Sequence, residues 1–179
     1  MKTLKPIIFT AVGILLAASA FAYLPPVTQT INPQINPGIL KTAVCTALEN
    51  KIAAKINKYD ENKGKHQDTY TKLVDRITQK VADWKAMGYN VSQVQSDLKT
   101  LGNKVKKFGD DYSTFIDKLK ATQNLACGTD PQYKSALADA KAALKVVRLD
   151  VVDIRQYYWS TVRPDIEELK QQTPVVTGE

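Results

Sequence analysis

Residues 91–126 read VSQVQSDLKTLGNKVKKFGDDYSTFIDKLKATQNLA. Core-type side chains recur in this stretch at alternating intervals of three and four: Val91, Val94, Leu98, Leu101, Val105, Phe108, Tyr112, Phe115, Leu119, Thr122 and Ala126. A repeat of 3.5 residues keeps one narrow face turned toward neighbouring helices, so the stretch predicts a long helix packed in coiled-coil fashion. Its length is roughly 54 Å at 1.5 Å per residue. Such a seam specifies architecture and leaves function unstated.

Toward the N-terminus, a first helix is predicted from about Ile39 to Met87. Its seam is Ile52, Ile56, Tyr59, Lys63, His66, Tyr70, Leu73, Ile77, Lys80, Trp84 and Met87. Lys63 and His66 share its weakest part with Gly64, which costs about 1 kcal/mol against Ala in a helix and marks a place for a bend or break. Gly88 stops the helix, and Asn90 caps the next one with Tyr89 and Val94 as a hydrophobic staple. Toward the C-terminus, Asp130-Pro131 opens a third helix with the seam Tyr133, Leu137, Ala140, Leu144, Val147, Val151, Ile154 and Tyr158. Val152 and Trp159 widen that stripe. Pro164 removes a backbone donor and predicts a kink near Thr161. Three long helices with short connections imply an all-α fold, an antiparallel up-down-up bundle of three long helices with coiled-coil-like packing.

The ends are different material. Lys2 and Lys5 precede an apolar run from Ile7 to Phe21 and the small-residue site Ala20-Phe21-Ala22. This is the layout of a signal peptide over residues 1–22, with an uncleaved membrane anchor as the rival reading. Residues 23–37 carry Pro25, Pro26, Pro33 and Pro37. They read either as an extended tether or as a segment packing across the bundle through Leu24, Val27 and Ile31. The bundle is then expected over 38–172, with a loose tail over 173–179. Without the two signal Lys, 23 Lys and Arg face 18 Asp and Glu, a net of +5. A mean hydropathy of −0.28 and 44% apolar residues exclude disorder and a polytopic membrane protein.

Cys45 and Cys127 fall at the same end of this topology. Export favours a Cys45–Cys127 disulfide, worth roughly 4 kcal/mol for a loop of about 80 residues. The two levels differ by about 9 Å along the helices, which bridged Cα atoms within about 7 Å must absorb.

Chemistry-bearing patterns are sparse. One His and no paired Cys or His spacing leave no metal site, and no phosphate loop or dinucleotide fingerprint is present. Asp110-Asp111 and Glu167-Glu168 are helix neighbours pointing about 100° apart, unsuited to paired acid–base work. No cofactor is expected, and the chain reads as non-enzymatic. Lys63, His66 and Asp111 form a candidate polar layer; the plainer reading is a half-exposed His66 with a local hydrogen bond. Lys104, Lys106 and Lys107 read as a solvated face rather than a nucleic-acid stripe.

Arg155, Tyr157, Trp159 and Arg163 form a candidate partner surface, since Tyr, Trp and Arg dominate binding hot spots. The competing arrangement has Tyr157 and Trp159 close the top of the bundle against Trp84 and Met87.

Gly88-Tyr89-Asn90-Val91-Ser92, Asp110-Asp111-Tyr112, Ala126-Cys127-Gly128, Asp153-Ile154-Arg155 and Arg163-Pro164-Asp165-Ile166 resemble segments of small exported helical proteins of reduced-genome bacteria. The resemblance implies an exported helical domain and no particular activity. The combined expectation is an exported, non-enzymatic interaction or scaffold protein of the cell envelope, periplasmic, cell-surface or extracellular, with a protein or envelope polymer as partner. It includes no nucleic acid, and membrane association only through an uncleaved signal. The alternative is a periplasmic chaperone-like binder of unfolded envelope proteins.

Overall fold

The structure is a computed structural model that describes residues 37–127 and 130–173. The signal and tether expectations, over 1–22 and 23–37, concern residues that lie outside this range except Pro37, as does the tail from Pro174 onward. Among the described residues, 92% are helical and no strand occurs, so this part of the chain is all-α, with three long helices. They are α1 (Pro37–Ala86), α2 (Ser92–Asn124) and α3 (Asp130–Tyr157). A π-helical turn (Tyr158–Val162) joins α3 to the short α4 (Arg163–Gln171).

Each boundary has a local cause. α1 ends before Gly88, whose φ of 86° lies in the left-handed region that Gly occupies without steric cost. Asn90 Oδ1 then accepts from the Ser92 backbone N–H at 3.2 Å and from its hydroxyl at 2.8 Å, which ties down the start of α2. The bend allowed at Gly64 does not occur: α1 is continuous across it, and nothing lies within 4 Å of where a Cβ would sit. Gly64 is therefore on the solvent side, where the helix loses propensity but no packing.

The expected kink near Thr161 takes another form. Pro164 has no N–H, and its ring crowds the carbonyl four residues back. The chain absorbs this by widening one turn, so that the Arg163 N–H bonds the Tyr158 carbonyl five residues earlier. The helix then continues through α4 instead of ending.

α2 is the helix that both others use. It packs on α1 and on α3, while α1 and α3 make no close backbone contact among the described residues. Its seam is accordingly the driest part of the fold: Leu101, Phe108 and Thr122 are 0% exposed, and Val91, Val94, Leu98, Tyr112, Phe115 and Leu119 are buried. On the α1 side the contacts are aromatic. Tyr59 meets Phe115 edge to face at 4.8 Å, and Tyr70 meets Phe108 at 5.5 Å. Gly109 lies under the end of the Gln67 side chain, which a Cβ there would push aside.

On the α3 side the contacts mix apolar and charged groups. Lys104 pairs with Asp153 and Lys107 with Asp150, both at 2.7 Å, around the buried Ala140, Leu144, Val147 and Ile154. Some positions depart from the seams that spacing predicts. Met87 is 55% exposed and Lys80 is exposed, while Val81 is buried in their place. Val152, expected to widen the α3 stripe, is 58% exposed. It lies beyond the reach of α2, and α1 does not come close enough to cover it.

Candidate functional site

The π turn sets the geometry of the C-terminal end. One extra residue in the turn rotates the helix beyond it, which brings Val162 fully inside and leaves Trp159 39% exposed. The Arg163 guanidinium lies 4.7 Å from the Trp159 ring centroid, a cation–π stack. Tyr158 meets the same indole edge to face at 5.5 Å. Arg155, one turn before Trp159, is exposed. Three of the four expected surface residues, Arg155, Trp159 and Arg163, are thus exposed along successive turns.

The fourth, Tyr157, turns inward. Its hydroxyl donates to Asp97 Oδ1 at 3.2 Å, and Lys104 Nζ sits 5.2 Å from its ring centroid. Gln93 Nε2 donates to both oxygens of Asp97 at 3.3 Å. Asp97 is buried, and burial raises its carboxyl pKa above the usual value, with the hydrogen-bonded Asp165 carboxyl adding to the rise. The donors Tyr157 and Gln93 act the other way. Nothing in the sequence reading singled out Asp97. Its one sequence signal is its place beside Leu98, on the flank of an otherwise apolar seam.

The candidate polar layer does not assemble as one unit. Lys63 donates to Ser113 at 2.7 Å, and His66 lies among aromatic rings, 6.4 Å from Tyr70 and 6.2 Å from Phe108. Burial alone lowers the His66 pKa, so no charged neighbour is tuning it. Asp111 instead serves the α3 side. Lys107 bridges it at 2.5 Å and Asp150 at 2.7 Å, and holds the Asp111 carboxyl below its usual range. Asp150 is buried, with burial raising its pKa, and its Oδ2 has no partner.

The Cys45–Cys127 disulfide is not formed, and both residues are free thiols. The Cys127 thiol donates to Glu49 Oε1 at 3.3 Å. The neighbouring Cys45 thiol is the largest cause of a Cys127 pKa raised to about 12, followed by burial and Glu49.

Among the described residues, no group of three or more His, Cys, Asp or Glu could hold a metal ion, and no helix is long and apolar enough to cross a membrane. Two shallow depressions lie on the described surface. One of about 340 Å³ lies between α1 and α2 at Val81, Gln95 and Leu98, and one of about 260 Å³ lies between α2 and α3 at Asp111, Asp139 and Ala143. No protein-family model matches the chain, and neither a curated protein nor a solved structure is significantly similar to it.

Proposed function

We propose that this chain is an exported, non-enzymatic helical interaction or scaffold protein of the cell envelope. Its partner, a protein or an envelope polymer, meets the face made by Arg155, Trp159 and Arg163. The observation that carries the reading is Trp159, a large aromatic held 39% exposed by a π turn and covered on one side by Arg163. Trp and Arg are the residue types that recur at binding hot spots, and π turns recur at functional sites. The two guanidinium groups favour an acidic counterpart. In this reading the three helices run up, down and up as an antiparallel bundle. The order of the contacts supports that: Tyr59 with Phe115 and Tyr70 with Phe108 on one side, Tyr157 with Asp97 and Lys107 with Asp150 on the other. Export rests on the basic, apolar and small-residue succession over 1–22.

The test compares two Trp substitutions. Trp159→Ala, at a surface position, is expected to lower stability by less than about 1 kcal/mol and to weaken partner capture by about 2 kcal/mol or more. Trp84→Ala, at a half-buried position packed on the core, is expected to cost about 3 kcal/mol in stability. Thermal melts are read beside capture from the native envelope. A Trp159→Ala protein that melts far below the wild type removes Trp159 from the partner surface. The chaperone-like alternative draws on Val146, Leu149 and Val152 on α3; they lie on one convex helix face, and a holder of unfolded chains needs an apolar concavity.

A further inference from the structure

α3 carries a second seam that none of the described helices covers. Ala138, Ala142, Lys145, Leu149, Val152 and Gln156 succeed one another at intervals of four, three, four, three and four, and all six are exposed. Leu149 and Val152 are each 58% exposed, and Val146 beside them is 41% exposed. The spacing is that of a coiled-coil seam, on the face of α3 turned away from α2. The π turn after Tyr157 breaks the 3.5-residue spacing and ends the seam there.

Charge flanks the seam in two columns. In heptad terms, the positions just before the seam include Lys134 and Arg148, and the positions just after it include Asp139 and Asp153. In a parallel pair of helices each early flank faces the late flank five residues further along the partner, whereas an antiparallel pair sets each flank against its own kind. Five residues separate Lys134 from Asp139 and Arg148 from Asp153. Asp153 holds Lys104 through Oδ2 only, and its side chain is 52% exposed. Arg148 is half-buried, its Nε is buried without a hydrogen-bond partner, and its charge near Tyr59 of α1 opposes the rise that burial gives the tyrosine's pKa.

We infer that a second copy of this chain docks on the outer face of α3, parallel and in register. Leu149 and Val152 then pack on their counterparts, and Lys134 and Arg148 of each copy meet Asp139 and Asp153 of the other. Gln156 pairs with its counterpart across the two-fold axis, a polar contact of the kind that fixes register. Lys145 faces its own copy, extends its stem along the seam and keeps its ammonium in water. That contact weakens the pair, so association is concentration-dependent. The inference goes beyond the Trp159 surface and does not depend on it.

The experiment is sedimentation velocity on the full chain over a range of concentrations, reading a mass that rises from 19.9 kDa toward twice that value. Leu149→Asp is expected to weaken self-association about thirtyfold or more, as loss of a central anchor does, with an unchanged helical circular dichroism signal. Lys145→Leu removes the like-charge contact without touching the core and is expected to tighten association about tenfold. Lys134→Glu weakens it, and adding Asp139→Lys restores it. Orientation is read by cross-linking in a chain whose Cys45 and Cys127 are replaced by Ser. Gln156→Cys is expected to link to its own counterpart, whereas a Lys145→Cys chain mixed with it gives no mixed link. A chain that stays monomeric at every concentration overturns the inference. So does a dimer indifferent to Leu149→Asp and Lys145→Leu, a mixed link between positions 145 and 156, or a partner of another kind that alone competes for this face.

Discussion

At the scale of single residues, two groups have chemistry set by their surroundings. Asp97 is a buried carboxyl whose pKa is raised by burial first and by Asp165 second. A raised folded pKa means that the fold holds this proton more tightly than the unfolded chain does. The stability it contributes is present at low pH and is lost as pH rises from the unfolded value of 3.8 through the raised folded value. At neutral pH the charged form is a net cost. Asp97→Asn keeps an acceptor for Tyr157 and removes the repulsion with Asp165. It is expected to raise the melting temperature at pH 7, by about 1 kcal/mol of stability, with little gain at pH 3. A variant that melts lower at pH 7 would show that the Tyr157 and Gln93 bonds need a carboxylate. His66 has the opposite slope. Burial lowers its pKa, so its contribution is complete above pH 6.5 and falls as pH drops toward the lowered value. Cys127 is exposed yet has its pKa raised to about 12 by Cys45, burial and Glu49. The thiolate is the reactive form, so alkylation of Cys127 at pH 8 is expected to be slow. Cys45→Ser removes the largest cause and is expected to speed it; an unchanged rate would mean that access, not protonation, limits the reaction.

At the scale of elements, the helices were legible in the sequence to the extent that their seams were surrounded. Nine of the eleven slots read from spacing fall in α2, with Val91 and Ala126 just beyond its ends, and most are buried because α2 has a neighbour on each side. The α1 reading was right at Ile52, Ile56 and Ile77 and failed at Lys80 and Met87, because the seam drifts and Val81 takes the inner place. A spacing rule carries no information on which partner is close, so the exposure of Val152 was not legible. Nor was Asp97, whose burial depends on Tyr157 and Asp165 arriving from distant sequence. Of the four residues expected on the partner surface, Arg155, Trp159 and Arg163 face solvent. The fourth, Tyr157, turns in toward Asp97, a partner on α2 that spacing within α3 does not reveal. Pro164 is the cause argued for the π turn, and it is testable. Pro164→Ala restores the N–H and removes the ring, so the turn can close as regular α-helix. Stability is expected to hold or to rise by up to about 3 kcal/mol, and Trp159 is expected to change its emission maximum in a Trp84→Phe background. Unchanged emission would mean that packing of Val162 and Leu169, both almost fully buried, holds the turn open.

At the scale of the whole molecule, cooperativity follows from α2 being shared. α1 and α3 have no close backbone contact with each other among the described residues, so each is held mainly through α2. The two sides of α2 differ in kind, with aromatic rings toward α1 and ion pairs toward α3. The part-exposed Lys104–Asp153 pair contributes little, up to about 1 kcal/mol, and the desolvation of the buried Asp150 offsets the attraction of Lys107, so the α3 side depends on Leu144, Val147 and Ile154 for its hold. Phe108 belongs to the α1 side yet lies at the centre of the common core, fully buried and in contact with His66, Tyr70 and Tyr112. Phe108→Ala is therefore expected to cost about 3 to 5 kcal/mol and to lower a single thermal transition read by helical circular dichroism. Native-state hydrogen exchange should rank the elements by how surrounded they are. The α2 amides from Val94 to Leu119 are expected to exchange slowest and only by global unfolding, and α1 before Ile52 and α4 fastest. If α3 exchanged together with α2 while α1 opened at much lower free energy, or if the melt of the Phe108→Ala chain split into two steps, the molecule would be two cooperative units meeting at α2. The aromatic side would then be the weaker joint despite its larger rings.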